Sequence, residues 1–149
     1  MTPHRSLPFD IYHRVMSEPK HASQSGSAPD PGYAAEAEAR VRAAFETVRK
    51  AVSLQTHADG GSDPVAMTAV AANARLAMAA GGAYLVSRLD PATPSVVATA
   101  VRTFAELLED IAMNALAGVG HDDPMQAGRL RDADAASGRL AALFDRRNG

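Results

Sequence analysis

A chain of 149 residues is long enough for one domain with a single ordinary core and too short for two. It contains no cysteine, which excludes disulfides, thiolate metal centres, cysteine nucleophiles and iron–sulfur clusters. The net charge is −2, supplied by residues 93–121, where Arg102 stands against Glu106, Glu109 and Asp110; the other segments are balanced, so no stretch supplies the Lys and Arg surplus that counterion release on nucleic acid requires. The one place where a face could concentrate positive charge is Arg129, Arg131, Arg139, Arg146 and Arg147. Nucleic acid is accordingly not an expected partner. Apolar residues make up 46 % of the chain, but 32 of the 149 are Ala and seven are aromatic, so each buried position offers little area and the core must come from closely packed helices.

The first residues, up to Met16, carry His4, Arg5 and Asp10 and lack the uninterrupted apolar run of a secretory signal, which places the protein in the cytoplasm by expectation. Leu7, Phe9, Ile11, Tyr12, Val15 and Met16 form a short apolar motif within residues 7–16. This motif either docks on the protein's own domain or serves as a linear motif for a partner, with Leu7, Phe9, Ile11 and Tyr12 as candidate contacts. Residues 17–30, biased to Ser, Pro, Gly and Gln, read as a flexible linker. The expected organisation is a flexible N-terminal segment, 1–30, followed by a helical domain, 31–149.

Four dipeptides punctuate that domain: Asp30-Pro31, Asp63-Pro64, Thr93-Pro94 and Asp123-Pro124. Each offers a side-chain oxygen to accept from an orphan N–H at a helix start, followed by Pro at the first helical position. The four starts predict helices of similar length, and hence an all-α four-helix bundle, up-and-down by virtue of its short connections.

The first helix, about 32–56, aligns Ala37, Val41, Ala44, Phe45, Val48 and Val52 on one stripe at three- and four-residue spacing. The second, about 64–88, has Met67, Val70, Ala74, Ala77, Met78, Gly81 and Leu85 as its expected inner stripe. Its outer stripe then reads Thr68, Ala72, Arg75, Ala79, Gly82 and Val86, nearly free of charge where a solvent face normally carries it. Gly81-Gly82 in mid-helix costs about 1 kcal/mol per Gly relative to Ala, and close approach of another helix would offset that. This stripe is the expected partner surface, most simply for a homodimer through helix two. The span 65–86 is long enough to cross a bilayer, but its Ala and Gly content reads as a buried helix, not a membrane span.

The third helix, about 94–116, has the sharpest pattern: Val97, Val101, Phe104, Leu108, Ile111 and Ala115 in alternating steps of four and three. The fourth, about 124–146, carries a thinner stripe of Leu130, Ala133, Ser137, Leu140 and Phe144 on a strongly charged helix.

An up-and-down bundle brings His57, Asp59 and Asp63 to the same end as His121, Asp122 and Asp123. His57, Asp59, His121 and Asp122 are the candidate metal ligands, weak ones, because bundle metal sites are built from inward side chains such as Glu-x-x-His pairs. Glu18 and His21 have that spacing but Pro19 stands between them. Gly60-Gly61-Ser62 has neither phosphate-loop nor dinucleotide spacing, and no Gly-x-Ser-x-Gly is present. The sequence therefore predicts no catalytic residue and no cofactor, and a non-enzymatic protein–protein interaction, adaptor or regulatory role. Two other classes stay open: a small-ligand or metal-binding bundle using the His57/His121 loop end, and an Ala-rich helical assembly or coat protein.

Overall fold

The computed structural model describes residues 27–147 and residue 149. The motif at 7–16 lies outside them, and with it Leu7, Phe9, Ile11 and Tyr12. Four helices account for most of what is described: α1 (Pro31–Thr56), α2 (Pro64–Ser87), α3 (Ser95–Leu116) and α4 (Pro124–Arg147), with no strand among the described residues. Consecutive helices pack on one another, α1 on α2, α2 on α3 and α3 on α4, as an all-α four-helix bundle.

Three of the four expected caps form as predicted. Asp30 accepts from the Gly32 N–H at 3.0 Å, Asp63 from Val65 at 3.0 Å, and Asp123 from Met125 and Gln126 at 2.9 and 3.0 Å. The fourth is displaced by one residue. Pro94 itself is the N-cap of α3, with ψ at 134° and no side chain to donate to, and the first turn closes from the Ala98 N–H to the Pro94 carbonyl. Thr93 is not available as a cap because its hydroxyl accepts from the Asp90 N–H at 3.0 Å within the α2–α3 turn. At the other end of α3, Gly118 adopts φ +92°; its N–H reaches the Ala115 carbonyl and the Val119 N–H reaches Asn114, the paired bonds of a Schellman ending.

The core is built on three phenylalanines. Phe45 of α1 meets Phe104 of α3 edge-on and Phe144 of α4 at a tilt, each with ring centroids 5.7 Å apart. Around them Val41, Val48, Met78, Leu85, Val97, Val101, Leu108, Ile111 and Leu140 are buried, so the stripes expected on α1, α3 and α4 face inward. Buried Ala98, Ala105, Ala112 and Ala136 let the backbones approach closely.

Helix α2 keeps most of its expected inner stripe, with Met78, Gly81 and Leu85 buried and Val70, Ala74 and Ala77 half-buried, and departs from it at Met67 and Gly82. Its buried residues are Met78, Gly81, Gly82 and Leu85, all in its second half. Met67, expected inside, is 56 % exposed. Gly82, expected on the bare outer stripe, is buried against α3: a Cβ there would come within 2.8 Å of the Ala105 carbonyl oxygen and 2.7 Å of Glu109 Cγ. Gly81 plays the same part toward α1, where a Cβ would sit 2.8 Å from Val48 Cγ1. The glycine pair thus neither ends nor splits the helix; it admits α1 on one side and α3 on the other.

Candidate functional site

The seam between α1 and α4 is closed at one end by charge. Arg147 Nε donates to both carboxylate oxygens of Glu38 at 2.9 and 2.8 Å, and Arg42 pairs with Asp145 at 3.6 Å. A hollow of about 600 Å³ beside α1 there includes Glu38, Arg42, Glu46 and Arg147, but these charges already pair with one another or with Arg49 and Asp145. Toward the other end the bundle opens. A cleft of about 360 Å³ between α1 and α4 has Met78, Phe104, Leu108, Ile111 and Leu130 as its apolar lining and Arg49, His57 and Asp134 among its polar residues. A second, of about 410 Å³, lies under the first half of α2 and is lined by Met67, Val70, Ala74, Gly60, Asp59 and His121. Met78 and Leu130 line both.

The sequence therefore brings the expected loop residues to one end of the bundle, with Asp59 and His121 on one cleft and His57 on the other. Four of the loop residues have local work. His57 Nδ1 lies 2.8 Å from the Ser53 carbonyl oxygen, Asp59 accepts from the Gly61 N–H at 2.7 Å, and Asp63 and Asp123 cap their helices. Among the described residues, no group of three or more His, Asp or Glu is placed to share a metal ion. His57 Nδ1 also lies 3.3 Å from Thr56 Oγ1, but that hydroxyl donates to the Val52 carbonyl at 2.8 Å and is engaged by its own helix. The buried polar residue that sequence reasoning missed is Gln126. Its Nε2 donates to the Ile111 carbonyl at 2.9 Å and its Oε1 accepts from Arg129, tying the start of α4 to α3. A Gln at the third position of a capped helix gives no signal of such burial.

The most distinctive surface belongs to α2. From Val65 to Ser87 the helix carries a single charge, Arg75, and Arg75 is half-buried. Of the expected partner stripe, Thr68, Ala72 and Val86 are exposed, Ala79 is half-buried against the core and Gly82 belongs to the α3 contact. The face that looks outward is rotated from that stripe. It runs Val65, Ala69, Ala72, Leu76, Ala80, Ala83 and Tyr84, all exposed, with Val65 at 77 % and Leu76 at 65 %. Leu54 of α1 and Met113 and Leu116 of α3 are exposed to a similar degree. By length and composition α2 is also a helix that could cross a membrane, and 22 % of its apolar window is buried.

No family model, no curated protein and no solved structure matches the chain.

Proposed function

We propose that this is a non-enzymatic interaction protein, an adaptor or regulatory bundle, that associates with protein through the outer face of α2. The observation that carries the reading is the missing charge. A helix that ends its life in water has no reason to avoid Lys, Glu or Asp over its whole outer face, and α1 and α4 of the same bundle carry them freely. Exposed Val65, Leu76 and Tyr84 instead offer apolar area of the kind that marks association sites. The clefts support a second reading, a small apolar ligand held at the His57/His121 end; native-state ANS fluorescence lost on Leu130→Trp supports it, and no binding by the parent removes it.

Photo-crosslinking in the native cytoplasm tests the first reading. A benzoylphenylalanine replacing Leu76 is expected to give discrete protein adducts, and the same probe replacing Arg131 on α4 is expected to give none. Equal labelling at both positions, or none at either, overturns the reading.

A further inference from the structure

We infer that the protein on the outer face of α2 is a second copy of this chain, packed antiparallel about a two-fold axis at Leu76. The inference rests on the reading of α2 as an association surface and adds the identity and geometry of the partner. In an isologous interface residue i meets j and j meets i, so an antiparallel helix pair places residue 76+n opposite 76−n. Much of the exposed face of α2 pairs in that way: Ala69, Ala72, Ala80 and Ala83 stand seven and four positions before and after Leu76, whereas exposed Met67, Asn73 and Val86 have buried or half-buried mates. Further out, Thr68 meets Tyr84 and Val65 meets Ser87, all exposed in the single chain. Leu76 thus falls at the axis and Ala along the inner arms, which permits close approach there, with Val65 and Tyr84 toward the ends.

The neighbouring helices extend the same symmetry. Contact of Gly81 with Val48 fixes the antiparallel register of α1 on α2, and contact of Gly82 with Ala105 and Glu109 fixes that of α3. Both registers carry exposed Leu54 and Met113 to within about one helical turn of Leu76. A two-fold axis lying across the face then runs through Leu54, Leu76 and Met113, each 60–66 % exposed alone and each meeting its own copy. That is the arrangement of an apolar centre with a more polar rim. Area is compatible with it: α2 is about 36 Å long at 1.5 Å per residue, and with the edges of α1 and α3 flanking its second half at helix spacings of about 8–10 Å the face measures roughly 600 Å² per copy. Specific interfaces begin at about 1,200 Å² in total.

The absence of cysteine makes the test clean. In the full chain, Leu76→Cys is expected to link to its own symmetry mate under mild oxidation and run as a disulfide dimer. Val65→Cys alone is expected to stay unlinked, whereas Val65→Cys mixed with Ser87→Cys is expected to link. Leu76→Glu should convert the parent dimer to monomer by light scattering while leaving the helical far-UV spectrum unchanged. A parent that is monomeric at tens of micromolar, or Val65→Cys linking to itself as readily as Leu76→Cys, overturns the inference. If the parent is monomeric and the photo-probe at position 76 still yields adducts of another mass, the self-association fails while the α2 surface stands; if neither links, both fail.

Discussion

At the scale of single residues, the glycine pair of α2 and the phenylalanines of the core make opposite demands on space. An exposed mid-helix Gly gains about 1 kcal/mol on replacement by Ala. Gly82 should do the reverse, because the obstacle to a Cβ includes a backbone carbonyl, that of Ala105, which has no rotamer to change. Overpacking of this kind costs about 1–3 kcal/mol, so Gly82→Ala is expected to lower the urea midpoint; a rise would mean the residue faces water after all. In the core, Phe45 touches both other rings, and Phe104 closes the floor of the cleft. Phe45→Ala and Phe104→Ala are each expected to cost about 3–5 kcal/mol in denaturant unfolding. A loss below about 1 kcal/mol for either would remove it from the centre of the core.

At the scale of elements, what could be read from sequence depended on contrast. The starts of α1, α2 and α4 were legible because Asp-Pro does two jobs at once, capping with the carboxylate and fixing the first helical φ with the ring. Thr93-Pro94 carries the same signal, but the turn claims the Thr hydroxyl, a competition decided by Asp90 three residues earlier. The faces of α3 were legible because Glu106, Glu109 and Asp110 oppose Val101, Phe104 and Leu108. On α2 Ala stands on every side, so several stripes fit equally well and the phase is set by which neighbours the two glycines admit. That is why the lack of charge was visible and the direction of the bare face was not. The clefts were not visible either, since they arise from the spacing of α1 from α4 and of the first half of α2 from its neighbours, which no local pattern encodes. The Schellman ending of α3 gives an element-scale prediction. Gly118→Ala places a Cβ at φ +92°, and a loss of about 1 kcal/mol in thermal or urea unfolding is expected where Ala replaces a Gly of positive φ. An unchanged midpoint would show that α3 ends by another route.

At the scale of the molecule, the bundle is asymmetric from end to end. One end is drawn together by Glu38–Arg147, Arg42–Asp145 and Arg40–Asp90. The other holds both apolar clefts, and Leu54, Met67, Met113, Leu116 and Met125 are exposed near it. The first half of α2, with no buried residue between Pro64 and Ala77, is the part of the fold least supported by its own core. Association on its outer face would supply the missing burial. Amide hydrogen exchange of the intact chain at about 1 and about 100 µM measures this most directly, because protection reports the free energy of local opening segment by segment. Slower exchange across residues 64–80 at the higher concentration, with α4 unchanged as the internal reference, is the expected result. Exchange in 64–80 that does not depend on concentration, or protection that rises in α4 and not in α2, would contradict an association surface on α2.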